Sequence, residues 1–237
     1  MRTALPAAWS AVALLLAAAA GPAAADAPPS GPWSWGWRAG AGGTAFTGAL
    51  RDTADGSYVS FDAGAYAALG SSWLALEPQL IVAARGGNFV DPYFGTFDDG
   101  FGNVRVEKIG EVRGSLSSFE ARAPIVARLR FAPWPFEPHL LAGVVPALRI
   151  YGSYSGNRIL RDFWPESFRR ADLGWTAGLG TRWAMRHGTL TIDLRYEEGG
   201  SDVFRTGRGL PGRMSAWMLG VGLRMQGREK AAPEPGP

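Results

Sequence analysis

The 237-residue chain contains no cysteine and only two histidines. The absence of cysteine excludes a disulfide scaffold, thiolate chemistry and cysteine-ligated zinc sites. Neither His139 nor His187 has a serine or a carboxylate at the spacing of a catalytic motif, which argues against a Ser-His mechanism. The sequence therefore predicts no catalytic, cofactor or metal residues, and we expect a protein that is not an enzyme.

Long apolar runs and blocks of basic charge are also scarce. After the first 25 residues, no apolar run reaches the roughly 18 residues that a membrane-spanning helix needs. The formal net charge is only +3, and lysine and arginine form no basic block. Nucleic acid is therefore not an expected partner.

The amino-terminal segment has the composition of a secretory signal peptide. Arg2 precedes an apolar segment at residues 11–20, and the small-residue motif "AAA" follows at residues 23–25. A positively charged start, a short apolar segment and small residues before the cleavage site are typical of exported proteins. We therefore predict a signal peptide at residues 1–25 and a periplasmic leader at residues 26–34. The proline-rich residues 226–237 are predicted to be a disordered periplasmic tail.

Most of the remaining chain alternates between apolar and polar residues. In "GTLTIDLRYEEG" (residues 188–199), Leu190, Ile192 and Leu194 share one parity, whereas Asp193 and Arg195 share the other. Successive side chains of a β-strand point to opposite faces, so this alternation predicts a strand with one apolar and one charged face. Eight such strands are predicted, at residues 35–46, 58–69, 73–85, 119–131, 136–151, 173–183, 188–199 and 213–225.

The connections between these strands are alternately long and short. Tight turns are predicted at residues 70–72, 132–135 and 186–188, and loops at residues 47–57, 86–118, 152–172 and 200–212. Bacterial outer-membrane barrels combine short periplasmic turns with longer extracellular loops. We therefore predict an all-β fold, an eight-stranded antiparallel up-and-down transmembrane β-barrel over residues 35–225, located in the bacterial outer membrane.

In such a barrel the apolar parity faces lipid and the polar parity is enclosed. Charges this numerous could not lie unpaired in a dry soluble core, because burying an unpaired charge costs several kcal/mol. The charges predicted for the barrel interior are Arg38, Asp62, Glu77, Arg85, Glu120, Arg122, Arg128, Arg130, Arg149, Arg182, Asp193, Arg195, Glu197 and Arg224. The aromatics predicted to face lipid, as in the girdles at the two membrane interfaces, are Trp35, Trp37, Trp73, Phe131, Trp175, Trp183, Tyr196 and Trp217.

The carboxyl-terminal half resembles the PorT-like outer-membrane β-barrel family, also described as the outer membrane protein beta-barrel domain. The resemblance is carried by "FEARAPIVARLRF", "FEPHLLAGVVPALRI", "ADLGWTAGLGTRW", "GTLTIDLRYEEG" and "MSAWMLGVGLRM". The matching residues are Pro124, Pro138, Ala142, Gly143, Asp172, Gly174, Gly178, Gly180, Leu194, Arg195 and Tyr196. The resemblance covers the last four to five strands and implies a fold and a location. It implies no activity, although some members are linked to secretion or surface machinery.

The last predicted strand resembles the assembly signal that the outer-membrane insertion machinery reads. Gly220, Leu223 and Met225 match its Gly-x-x-apolar-x-apolar pattern. The expected partners are therefore the lipid bilayer of the outer membrane, the barrel-insertion machinery and a surface or envelope protein.

Three functions are compatible with these patterns. The leading hypothesis is a non-enzymatic structural or interaction barrel, with the loops at residues 86–118 and 152–172 as partner surfaces. The second is a narrow pore for small solutes or anions, because the predicted interior has nine arginines against five carboxylates, although eight strands leave little free lumen. The third is a secreted lipocalin-like ligand-binding barrel, suggested by "GPW" at residues 31–33.

The loop at residues 86–118 also contains a group of oxygen-bearing side chains. Asp98, Asp99 and Asn103 could together bind a hard cation. Because Asp-Gly and Gly-Asn are ordinary turn formers, a turn is the favoured interpretation of these residues.

Overall fold

A computed structural model describes residues 33–48, 57–71, 73–98, 104–131, 136–155, 169–185, 188–203 and 212–225. These ranges form nine β-strands, and no helix in them is long and apolar enough to cross a membrane. The strands are β1 (Trp33–Gly48), β2 (Tyr58–Gly70), β3 (Leu74–Asp98), β4 (Val104–Arg122), β5 (Ile125–Arg130), β6 (Glu137–Ser155), β7 (Ala171–Met185), β8 (Gly188–Glu198) and β9 (Gly212–Met225).

The strands pair into a closed antiparallel ring. Strands adjacent in the ring follow one another along the chain, and the ring closes where β1 pairs with β9, from Trp35 opposite Met225 to Gly48 opposite Gly212. β4 and β5 share one position, because both pair with β3 on one side and with β6 on the other. The ring therefore has eight positions, and the predicted eight-stranded up-and-down barrel is confirmed.

The interruption between β4 and β5 lies at Ala123 and Pro124. Proline has no backbone N–H and cannot continue the hydrogen-bond ladder as a donor. The wall nevertheless stays joined, because the Ala123 N–H donates to the Pro146 carbonyl over 2.9 Å and the Gln79 N–H donates to the Pro124 carbonyl over 2.8 Å. The interruption therefore leaves the barrel closed.

β3 and β4 extend beyond their neighbours at the loop end of the barrel. Pairing of β3 with β2 ends at Ala84, and pairing of β4 with β6 ends at Ser115, whereas β3 and β4 pair with each other as far as Asp98 and Val104. At about 3.3 Å per residue, this two-stranded extension is about 30 Å long. The loop predicted at residues 86–118 is therefore wrong for most of its length.

The chain ends lie mostly outside the described residues. β1 begins at Trp33, so the last two residues of the predicted leader belong to the barrel. The predicted signal peptide, the rest of the leader and the predicted tail at residues 226–237 all fall outside the described ranges.

Candidate functional site

The barrel wall is apolar outside and charged inside. Leu80, Leu148 and Leu179, on three different strands, are 69%, 53% and 58% exposed on the outer face. This distribution is the inverse of that in a soluble barrel and is typical of barrels that span a lipid bilayer. A secreted lipocalin-like barrel would enclose the apolar parity, so that alternative does not fit the burial pattern. Transmembrane barrels with an even, small number of strands are those of the bacterial outer membrane, where this protein is located.

The structure directs the predicted interior charges into the lumen to different depths. Arg149, Arg182 and Arg224 are only partly buried, toward the two ends of the barrel. The fully buried members are Arg38, Asp62, Glu77, Arg85, Glu120, Arg122, Arg128, Arg130, Asp193, Arg195 and Glu197.

Arg128 is the hub of a central cluster in the lumen, which comprises Arg38, Asp62, Glu77, Gln79, Arg128, His139, Asp193 and Arg195. Its Nε and Nη2 donate to the two oxygens of Glu77, each over 2.9 Å. Its Nη1 donates to Asp193 Oδ1 over 2.9 Å. Two parallel hydrogen bonds between a guanidinium and a carboxylate form one of the stronger polar contacts in proteins. Arg128 therefore ties β3, β5 and β8 together.

The rest of the central cluster carries the contacts across the lumen. Arg195 donates to Asp193 Oδ2 over 2.7 Å and to Gln79 Oε1 over 3.3 Å. Arg38 donates to the same Gln79 oxygen over 2.9 Å and lies 3.5 Å from Asp62 Oδ2. The cluster thus reaches β1 and β2 through the neutral amide of Gln79, whose oxygen accepts hydrogen bonds from both arginines.

His139 lies in the middle of the central cluster. Its Nε2 is 2.7 Å from Asp193 Oδ1 and also contacts Arg128. A Cβ at Gly180 would lie only 2.5 Å from Asp193 Oδ1 and 2.6 Å from His139 Nε2, so a glycine at this position provides the space for the pair. The sequence gave no sign that Asp193 is the partner of His139, because the two residues are distant in the chain.

A second, loop-side cluster comprises Arg85, Glu120, Arg122, Arg149 and Glu197. Arg122 Nη1 donates to Glu197 Oε2 over 2.7 Å, and Arg85 donates to the same oxygen. Arg149 Nη2 donates to Glu120 Oε1 over 3.2 Å. This cluster closes the lumen above the central cluster, on the side of the β3–β4 extension.

Little open space accompanies the two clusters. One cavity of about 10 Å³ lies beside Tyr66 and Thr191, and another of about 20 Å³ lies beside Arg122 and Val145. A cavity needs about 10–15 Å³ to hold one water molecule. Each of these two cavities therefore has room for about one water and not for a file of ions.

Apolar side chains also occupy the lumen, which the sequence analysis did not predict. They are Ile81, Leu116, Val126, Leu141, Val145 and Met218, all 3% exposed or less. Their only signal in the sequence is their parity, which they share with Glu77, Glu120, Arg128, His139 or Arg224 on the same strands.

The predicted lipid-facing aromatics lie on the outer face. Trp35, Trp37, Trp73, Phe131, Trp175 and Trp217 are exposed, and Trp183 and Tyr196 are partly exposed. The Tyr196 ring lies 5.4 Å from that of Trp175 and 5.1 Å from that of Trp217, which forms a row across β7, β8 and β9. Trp73 and Phe131 lie at the opposite, turn end of the barrel.

The candidate cation site falls outside the described residues. Asp99, Asn103 and the side chain of Asp98 are not described, and neither is His187. Within the described ranges, no group of three or more histidine, aspartate or glutamate side chains is arranged to hold a metal ion.

No family model and no curated protein matches the chain. Among solved structures, Neisserial surface protein A is 18% identical, with a TM-score of 0.44 over 82% of this chain and 99% of that one. The outer membrane enzyme PagL is 12% identical, with a TM-score of 0.37 over 79% of this chain and 97% of that one. The outer membrane protein AlkL is 13% identical, with a TM-score of 0.32 over 90% of this chain and all of that one. The assignment of the fold therefore rests on the strand pairing and burial of the chain itself.

Proposed function

We propose that the protein is a non-enzymatic outer-membrane barrel that holds the β3–β4 hairpin outside the membrane as an interaction surface. The observation that carries this proposal is the pairing of β3, which continues to Asp98 although its pairing with β2 ends at Ala84. Beyond Ala84, the described residues provide no strand partner on the β2 side of β3. A strand edge without a neighbour can pair with an extended segment of another protein.

The filled lumen supports an anchoring role over a conducting role. Two stacked clusters of ion pairs lie across the path that a solute would take, and the described cavities beside them have room for about one water each. A barrel whose interior is occupied by fixed side chains provides a rigid base for an external element.

The resemblance to PorT-like barrels supports the same interpretation, and we propose membership of that family. The structure gives some of the resembling residues a defined role. Pro124 separates β4 from β5, and Gly180 makes room for the His139–Asp193 pair. These roles concern the construction of the barrel, which fits a protein whose partner contacts lie in its external segments.

The proposal is tested by removing the hairpin without disturbing the barrel. Asn88 and Ser115 face each other across β3 and β4, so residues 89–114 can be replaced by an Asn-Gly turn that suits a two-residue hairpin connection. A matched control shortens residues 156–168, which connect β6 to β7. The wild type and both variants carry a photo-crosslinker in the native envelope at residue 88, at the base of the hairpin, which the replacement retains.

We expect protein adducts from the wild-type hairpin, their loss after hairpin replacement and their retention in the control. Hairpin positions that give no protein adduct, or adducts that persist after the replacement, would contradict an interaction role for the hairpin.

A narrow anion pore is the second candidate, because the turn end of the lumen carries an excess of arginine (Arg130, Arg182 and Arg224). Single-channel recording in planar bilayers separates the two functions. An anchoring barrel gives no discrete current steps, whereas reproducible anion-selective steps would favour the pore.

A further inference from the structure

A third group of arginines, the turn-side cluster, comprises Arg130, Arg182 and Arg224. Arg130 ends β5, and the other two lie near the ends of β7 and β9. β6 separates β5 from β7, and β8 separates β7 from β9, so the three residues are spread over an arc of the wall. Their side chains therefore approach the mouth of the lumen from three directions.

The register places the three arginines near one another in the ladder. Arg130 pairs with His139, which pairs with Gly180, two residues from Arg182. On the other side, Arg224 pairs with Thr189, which pairs with Ala184, also two residues from Arg182. Arg182 therefore lies midway between the other two, about 7 Å along the strand from the level of each, which is within reach of long arginine side chains.

The turn-side cluster has an excess of positive charge. Arg182 forms an ion pair with Glu137, the one carboxylate paired with the cluster among the described residues. Glu77 attracts Arg130 and Arg224, but both of its oxygens already accept hydrogen bonds from Arg128. Arg130 is also repelled by the positive charges of Arg182 and Arg224.

Two arginines of the cluster also have hydrogen-bond donors without a partner. Arg130 is only 8% exposed, yet among the described residues its Nη1 has the Ser71 carbonyl, at 3.4 Å, as its acceptor. The Nε atoms of Arg130 and Arg224 are buried and have no hydrogen-bond partner within the described structure. A buried charged donor that is left unsatisfied costs free energy, so these atoms indicate where an acceptor would bind.

Other lumen arginines differ from these two in one respect. Arg85, Arg122 and Arg195 also have an unpartnered Nε, but each donates through a terminal nitrogen to a carboxylate. Within the described residues, Arg130 and Arg224 donate to no carboxylate. Among the side chains that the structure describes, the deficit of carboxylate acceptors is therefore found at the turn end of the lumen.

We propose that the turn-side cluster is a binding site for a phosphate group. Guanidinium groups present paired N–H donors that match the oxygens of a phosphate, and a phosphate would neutralise the excess charge. The turn end of an outer-membrane barrel faces the periplasm. The phosphate therefore belongs to a small periplasmic solute or to a phospholipid headgroup at the rim of the barrel.

Calorimetric titration of the refolded full chain tests the proposal. Inorganic phosphate and, separately, a short-chain phosphatidic acid are titrated at low salt in a detergent that contains no phosphorus. Binding of inorganic phosphate assigns a soluble ligand, and binding of the phosphatidic acid alone assigns a headgroup. Binding of neither overturns the proposal.

The chain offers a matched pair of variants for this titration. Arg224→Gln removes one guanidinium from the cluster and should weaken phosphate binding about tenfold or more, because a hydrogen bond to a charged group is lost. Arg213→Gln changes an exposed arginine at the other end of β9 and should leave binding unchanged. Equal affinities of wild type and both variants would show that phosphate binds elsewhere and would overturn the proposal.

Thermal unfolding gives a second readout that does not depend on heats of binding. Phosphate should raise the unfolding midpoint of the wild type, because a ligand that binds only the folded state stabilises it. Arg224→Gln should lose this shift while its midpoint without phosphate is no lower, since the substitution relieves repulsion with Arg130. A wild-type midpoint that phosphate does not move would contradict the site. Replacement of the hairpin, at the opposite end of the barrel, should leave the shift intact.

Discussion

Replacing Glu197 by glutamine should destabilise the barrel by about 3–5 kcal/mol, the usual cost of breaking a buried ion pair. Glu197 is 1% exposed, and its Oε2 accepts hydrogen bonds from Arg122 over 2.7 Å and from Arg85. At an effective dielectric constant of about 20, the attraction at this 2.7 Å separation is about 6 kcal/mol, part of which offsets the desolvation of the charges. Glutamine keeps the shape of the side chain but removes its negative charge. Arg85 and Arg122 are then left with Glu120 as their neighbouring carboxylate.

The assay is urea-induced unfolding of the refolded protein in lipid vesicles, from which the free energy of unfolding is obtained. The control is Glu198→Gln at the next position, where the carboxylate is partly exposed and accepts a hydrogen bond from the Tyr196 hydroxyl over 3.3 Å. This control should change the free energy by about 1 kcal/mol or less.

A double substitution sharpens the test. The additional substitution Arg85→Gln removes one of the two arginine charges that have lost their partner. The double variant should therefore lose less free energy of unfolding than the sum of the losses of the two single variants. Additive losses, or losses at Glu197 and Glu198 that are equally small, would refute the reasoning. In that case the lumen would be wet enough for its arginines to be solvated by water.

Three further outcomes are expected. The refolded protein should migrate differently on a gel before and after boiling, because a closed barrel resists detergent until it is heated; identical mobility would contradict closure. Leu194→Arg should lower the free energy of unfolding in vesicles by about 2–4 kcal/mol, because Leu194 is 43% exposed on the outer face, where arginine would meet lipid; an unchanged value would place Leu194 away from lipid. Gly42→Ala should cost about 1–3 kcal/mol, since its Cβ would lie 1.8 Å from the Trp217 carbonyl oxygen. Gly110→Ala meets nothing within 4 Å and serves as its control, so equal losses at the two glycines would contradict the close approach of β1 to β9.

The barrel could be predicted from the sequence because alternation is a local property. Asp193, Leu194 and Arg195 have their inward or outward direction fixed by their order along β8, and closure into a ring follows once all strands share this pattern. The β3–β4 hairpin was missed for an equally local reason. Gly86, Gly87 and Pro92 are residues that usually end strands, and here the ladder passes through all three positions.

The pairing of charges within the lumen could not be predicted. Which carboxylate meets Arg128 depends on the ring that brings β8 across from β3 and β5, and no short segment of sequence contains that information. The presence of apolar side chains such as Ile81 and Val126 in the lumen could not be predicted for another reason. Alternation separates the two faces, but it does not say that a narrow lumen must be filled by apolar as well as charged side chains.

β8 and β3 lie diametrically opposite in the eight-position ring, and two polar contacts join them through the lumen, Arg195 to Gln79 and Arg85 to Glu197. In mechanical terms, these contacts are cross-braces along a diameter. A tube with such braces resists being flattened when the surrounding bilayer changes its lateral pressure. β3 also continues into the β3–β4 hairpin. The base of the hairpin is therefore connected, through these contacts, to β8 on the opposite side of the barrel. A force applied to the tip of the hairpin would then be transmitted to β8, and the height of the tip above the membrane would stay constant.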